Sequence, residues 1–253
     1  MPSIDLNCDL GEGAGHDSEL MPLVTSANLA CGGHAGDEES MRAGVALALR
    51  HGVAVGAHPG FEDREHFGRR ALPATPAQAA SLVRRQVEAL QRVAAIAGAA
   101  VRHVKLHGAL YNLAAADRAL AEAVIGAVME IDAGLVLFVP AGSEMERVAR
   151  GRRGLAVAAE VFADRTYQAD GSLTPRSSPS AVIEDEAAAA AQVLRLVQEG
   201  RVRTAAGTDL ALAAATVCIH GDGPHAVAFA RRLGRALRDA GVELRAPGAR
   251  GIR

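Results

Sequence analysis

An α/β barrel is the fold class that the sequence predicts, from three observations. Runs rich in apolar and β-branched residues recur near 3–8, 25–31, 53–58, 101–107, 134–140, 155–161 and 216–220, which makes seven strands. Helical patterns lie between these runs, so the strands should be parallel and covered by helices. Polar residues then gather at the carboxyl ends of six runs: Asp9 and Glu12, His34 and Asp37, His58, Lys105 and His107, Glu160 and Asp164, His220 and Asp222. An open doubly wound sheet uses only the strand ends beside its switch point, whereas a barrel turns nearly every strand end towards one mouth. Six contributing strands therefore favour closure. A chain of 253 residues, 49% of them hydrophobic, suits one domain over 1–253.

The first strand reads Ile4-Asp5-Leu6-Asn7-Cys8-Asp9-Leu10. Alternate side chains of a strand share a face, so Asp5, Asn7 and Asp9 point one way and the apolar set the other. Three such polar groups in a row suit the lining of a polar cavity. The fourth strand repeats the pattern, with His103, Lys105 and His107 on one face and Val104 and Leu106 on the other. Helices are predicted over 38–50, 76–97, 117–131, 143–150, 179–198 and 224–239. Thr75 before Pro76 and Ser178 before Pro179 read as N-caps followed by proline at the first helical position. Gly52, Gly98, Gly200 and Gly241 stand where a left-handed residue ends a helix. The stretch from Asp164 to Ser178 is too long and polar for a tight connection and is expected to fold over the mouth.

Lys105 is the single lysine among 27 basic side chains. In a background that uses arginine wherever a positive charge will serve, the exception marks a task for a compact ammonium or amine. The formal charge of −2, without a basic cluster or aromatic platform, argues against nucleic acid as a partner. Cys8, Cys31 and Cys218 are far apart, so neither a disulfide framework nor a structural zinc site is indicated and a reducing cytoplasm is expected. The chain opens directly on a strand pattern, with no signal peptide expected, and no apolar run reaches the ~20 residues of a membrane helix.

Asp5, Asp9, His34, His58, His107, Glu160 and His220 include ligand types for a divalent metal, but none shows a compact metal-binding spacing, so a metal stays undecided. His16, His51 and His66 read as structural or exposed, and His103 could be so too. Glycine-rich turns at 28–37 and 220–225 precede helices and could hold an anion, yet no P-loop occurs. With no G-x-S-x-G elbow, general acid and base chemistry ranks above covalent catalysis. Arg64, Arg69, Arg165 and Arg176 sit in mixed charged and aromatic loops, where they could grip a carboxylate or simply brace the loops.

Taken together, residues 4–12, 27–37, 58–70, 103–112, 160–176 and 217–222 resemble the LamB/YcsF family, the A subunits of a prokaryotic ATP-dependent 5-oxoprolinase. The resemblance spans essentially the whole chain. Two departures are Leu106, where the family usually has proline, and Gly33, where it usually has an aromatic residue; the latter is expected to widen the pocket or loosen its loop. The resemblance implies a (β/α)7 TIM-like barrel of the glycoside hydrolase/deacetylase type, acting with two partner subunits, B and C, to open 5-oxo-L-proline to L-glutamate. ATP would be the cofactor, shared with or bound by the partners, with a divalent metal uncertain.

On this reading Lys105 neutralises charge on a phosphorylated lactam, Asp9 or Glu160 is the base, and His34, His58, His107 and His220 position or protonate departing groups. Asp5, Asn7, Glu12, Asp37, His58, Tyr111, Arg176, His220 and Asp222 are the candidate substrate-binding residues. The alternatives are a metal-dependent amide or acetyl hydrolase on the same barrel, and a non-catalytic component that only binds the lactam.

Overall fold

The computed structural model describes residues 2–221, 223 and 225–248. Among them the strands, in chain order, are β1 (Ser3–Leu10), β2 (Ser26–Ala30), β3 (Ala54–His58), β4 (Val101–Lys105), β5 (Val136–Pro140), β6 (Ala156–Phe162), β7 (Arg201–Arg203), β8 (Asp209–Ala211), β9 (Thr216–Ile219) and β10 (Glu243–Leu244). The α-helices are α1 (Asp17–Leu20), α2 (Glu38–His51), α3 (Pro76–Ile96), α4 (Gly108–Ala116), α5 (Arg118–Ile131), α6 (Glu144–Arg150), α7 (Glu186–Glu199) and α8 (Ala226–Asp239). β1 to β6 pair in sequence, all parallel; β9 then pairs with both β6 and β1 and closes a seven-stranded barrel. β10 adds outside the ring beside the start of β1, and β7 and β8 form a separate antiparallel hairpin.

Strand alternation sorts the side chains as the sequence suggests. Leu6, Leu10, Leu29, Val104, Leu137, Val161 and Val217 are buried in the main apolar core. Each such burial favours the fold by ~1.5–3 kcal/mol. The inward face is unusual for a barrel, which is generally filled by branched apolar residues. Val136, Phe138 and Ala158 make a small apolar cluster of their own on β5 and β6. The rest of the interior is polar, with Asp5 beside Thr216 and Asn7 beside Cys218 across β1 and β9, and Asp9 beside Asn28 across β1 and β2.

Helix ends follow local chemistry. Asp37 and Ser40 form a reciprocal capping box at α2, Thr75 and Gln78 do the same at α3 with Pro76 in its first turn, and Gly52 and Gly200 end α2 and α7 at φ 67° and 65°. The expected cap at Ser178 is overturned, because α7 starts at Glu186, where the Asp185 carboxylate accepts from Ala188 N–H. The backbone at 180–182 is committed elsewhere: the Ser180 and Ala181 carbonyls accept from Thr166 and Arg165, and Val182 bridges to Arg165. α4 has no counterpart among the expected helices: its sequence is apolar apart from Tyr111 and Asn112, and its N-cap, His107, makes no side-chain cap bond.

Candidate active site

The polar interior is one hydrogen-bonded chain rising from the closed end of the barrel to a cavity at its mouth. At the base Asp5, fully buried, accepts from the hydroxyls of Thr25 (2.6 Å), Ser26 (2.8 Å) and Thr216 (2.5 Å). Burial pushes its carboxyl up to about 6 against those three donors. Above it Asn7 uses its amide in full. It donates to Glu160 (3.0 Å) and Thr216 (2.7 Å) and accepts from Asn28 (2.7 Å) and Lys105 (3.3 Å). Asn28 also donates to Asp9 (2.8 Å), and its oxygen is 2.8 Å from His103 Nε2. The His103 ring lies flat on Phe138, 4.3 Å between centroids, and burial pushes it down to about 3, so it stays neutral and structural.

Lys105 stands at the centre of the cavity floor. Its Nζ is 2.8 Å from Asp9 Oδ1, 2.9 Å from Glu160 Oε1 and 2.9 Å from Cys218 Sγ, and the residue is 2% exposed. Burial alone would favour the neutral amine, but the Asp9 and Glu160 carboxylates raise Lys105 well above the ordinary lysine range. It is therefore a fixed ammonium and not a nucleophilic amine. Burial also acts to raise Asp9, yet the His58 and Lys105 charges outweigh it and hold Asp9 well below the usual carboxylate range. Glu160 is saturated: Lys105 and Asn7 occupy Oε1, and the Tyr111 hydroxyl donates to Oε2 at 2.6 Å. Burial, and then Glu160, push Tyr111 far up, so it remains a phenol donor.

Beside this floor the ends of β1 to β4 bring together Glu12, His34, His58 and His107, whose ligand atoms lie within 4.8 Å of one another and could hold a metal ion. His34 stacks on His107 at 3.6 Å, and His58 stands edge-on to both. Burial, followed by the His58 charge, pushes His34 and His107 down to about 3; His58 itself is raised because Asp9 outweighs its burial. Phe67, the one non-glycine residue with positive φ (53°) among those described, turns its carbonyl to His107 Nε2 at 2.9 Å. Such a backbone costs a bulky side chain ~1–3 kcal/mol and commonly marks a functional site.

The cavity has a volume of about 750 Å³. Asp9, Glu12, His58, Lys105, His107, Tyr111, Glu160, Arg176 and His220 all line it. On the far wall Arg176 Nη2 is 2.9 Å from His220 Nε2, while His220 Nδ1 is 2.8 Å from Asp164. Residues 170–176 form part of the rim, so the polar stretch after β6 does fold over the mouth. His34 sits behind the wall, Asn7 and Asp5 lie under the floor, and Asp37 is exposed at the cap of α2, outside the cavity. Asp222 lies outside the described residues.

Sequence reasoning did not single out Asn28, Thr216, Phe162 or Cys218 for the site. The first two are uncharged residues with no chemistry of their own to mark them, and only the inward register of β2 and β9 gives them a role. Gly33 does not widen the pocket. A Cβ there would lie 2.5 Å from Gln86 Nε2 and 2.6 Å from the Gly60 carbonyl, because the Gln86 amide fills the space and bonds Gly60 at both N–H and C=O. Arg165 and Arg64 brace their loops through backbone carbonyls.

The LamB/YcsF family model matches residues 4–250. The chain belongs to the LamB/YcsF family. It is 53% identical to the A subunit of 5-oxoprolinase from Geobacillus kaustophilus, with 98% of each chain covered. It is 55% identical to the protein of the same name from Bordetella pertussis, covering 97% of this chain and 99% of that one. Among solved structures it is similar to the lactam utilization protein of Thermus thermophilus, at 45% identity and a TM-score of 0.89, covering 96% and 99%.

Proposed function

We propose that this chain is the A subunit of an ATP-dependent 5-oxoprolinase and that the cavity floor is where the lactam is opened. The observation that carries the reading is the buried Asp9–Lys105–Glu160 cluster at the base of a wide polar cavity. The full-length likeness to proteins named as the A subunit of 5-oxoprolinase gives the substrate class.

A five-membered lactam is a stable amide. Transfer of the ATP γ-phosphoryl group to its carbonyl oxygen releases ADP and makes the ring carbon electrophilic. Water then adds to that carbon, the ring C–N bond breaks as the nitrogen takes up a proton, and an acyl phosphate remains. A second water releases phosphate and leaves glutamate. Asp9 suits the base that directs water: it lines the cavity, with Oδ1 held by Lys105 and Asn28 and Oδ2 3.3 Å from His58 Nε2. Glu160, with both oxygens occupied, instead keeps the ammonium in place and accepts the Tyr111 hydrogen bond. The Lys105 charge lies under the reacting centre and stabilises anionic oxygen without releasing its partners. Arg176, at the rim, is placed to meet the substrate carboxylate or a phosphate. Two partners, the B and C subunits, supply or share the ATP site, and the assembly works in the cytoplasm.

Glutamate release from 5-oxoproline is expected only with partners and ATP together. Asp9→Asn and Lys105→Met should each lower turnover by at least ~10²-fold while assembly persists. Normal turnover by Lys105→Met, or amide hydrolysis by the chain alone without ATP, would defeat the proposal.

A further inference from the structure

The histidines over the cavity wall carry an arrangement that neutral rings alone do not satisfy. His58 Nδ1 is 2.8 Å from the Lys105 carbonyl and His107 Nε2 is 2.9 Å from the Phe67 carbonyl, so each ring commits its neutral-state N–H to the backbone. With both rings neutral, the remaining nitrogens, His58 Nε2 and His107 Nδ1, face each other at 2.9 Å with a lone pair on each. Two acceptors at that distance need a cation between or beside them. Glu12 brings a carboxylate oxygen 3.4 Å from His107 Nδ1, 3.7 Å from His58 Nε2 and 3.0 Å from His34 Nε2.

We propose that Glu12, His34, His58 and His107 form a binding site for one divalent transition metal of the zinc type. In a tetrahedral zinc site with bonds of about 2.0–2.1 Å the ligand atoms stand about 3.3–3.4 Å apart. The separations here, 2.9, 3.0, 3.4 and 3.7 Å, bracket that edge. Three imidazoles and one carboxylate favour zinc, cobalt or iron over magnesium or calcium, which prefer all-oxygen shells. The backbone carbonyls of Lys105 and Phe67 serve as the outer partners that fix which nitrogen faces an ion. His34 Nε2 stands 3.0 Å from Glu12, so as a ligand through Nε2 this ring would carry its proton on Nδ1, which has no hydrogen-bond partner. Because His34 and His107 are stacked in parallel, one of them must tilt to share the ion; His58, edge-on to both, need not.

The site is built from behind. A Cβ on Gly60 would lie 2.9 Å from His34 Nδ1, and one on Gly68 2.7 Å from His34 Cβ, so this loop fits only as glycine against the rings. On the other side Glu12, His58 and His107 open to the cavity, where a metal would supply a Lewis acid beside Asp9. This inference does not depend on the 5-oxoprolinase reading, since binding is measured without turnover.

The test is metal analysis of the untagged chain purified without chelator, followed by calorimetric titration of the chelator-stripped protein with zinc chloride alone. About one equivalent per chain and a single saturable site are expected, and cobalt loading should give the visible bands of a low-symmetry four-coordinate ion. Glu12→Gln, nearly isosteric and partly exposed, and His107→Gln should each weaken zinc binding by at least ~100-fold. His51→Ala, on the exposed end of α2, should bind as wild type. Circular dichroism checks each variant's fold; if His107→Gln does not fold, Glu12→Gln decides. Stripped wild type that takes up no ion at one site, or unchanged affinity in folded Glu12→Gln, would overturn the site and leave a proton on His58 as the cation between the rings.

Discussion

Asp5 is as deep as any acid in the barrel, and its titration has a definite sign. Its carboxyl rises from an ordinary 3.8 to about 6 because burial penalises the anion. A native pKa above the unfolded one means the folded chain holds the extra proton between roughly pH 4 and 6, so Asp5 disfavours folding increasingly as pH rises through that window. Two units correspond to about 3 kcal/mol. Urea unfolding of wild type and Asp5→Asn at pH 4.5 and 7 should show wild type gaining about 2 kcal/mol over the variant at the lower pH; a difference independent of pH would refute this. At this scale the sequence is informative where a residue type is unexpected. One lysine in an arginine-rich chain points to the floor of the cavity. Asn28 and Thr216 carry no such mark, because an amide or hydroxyl becomes part of a site only through what it touches. Asp37 looks like the acids around it but is consumed by a helix cap.

Elements set those contacts. β3 approaches β4 with a register shift at Val55/Gly56, and the His103 ring occupies the space where a side chain at position 56 would be. A Cβ on Gly56 would lie 1.9 Å from His103 Nε2. Gly56→Ala should therefore either unseat His103 from Asn28, loosening Asp9 through the shared amide, or shift the strand. Overpacking of this kind costs ~1–3 kcal/mol or more, and thermal unfolding should record it; wild-type stability in Gly56→Ala would show that the ring moves without cost. The same scale explains which elements can be read in advance. Long amphipathic helices with caps, such as α2 and α3, follow from period and chemistry. α4 has no polar face to reveal a period, and the three-residue strands β7 and β8 are too short to alternate visibly. The start of α7 lies later than its cap motif suggests because loop contacts claim the residues that the motif offers.

For the whole molecule, closure of seven strands brings residues from opposite ends of the chain into one cavity of about 750 Å³. That volume is at the scale of drug-sized ligands and exceeds a five-membered lactam several-fold. Room for a phosphoryl donor or an inserted partner loop follows, and the isolated chain should leave the lactam only partly enclosed. Calorimetry should find 5-oxoproline bound at least ~10-fold more tightly when the partner subunits are present; equal affinity with and without them would show that this cavity is complete by itself. Strand count and the gathering of polar ends are legible because a barrel's arithmetic shows in the sequence. The rising polar column is not, since it depends on which residues of neighbouring strands stand side by side.

Lys105 also gives the protein a built-in reporter. It is the only side-chain amine in the chain, and in the folded state it is sealed between Asp9, Glu160 and Cys218. An acylating dye that modifies lysines should leave it untouched until the barrel opens, so the rate at which this one position becomes labelled reads the opening of the cavity floor directly, without a mutation or an assay of turnover.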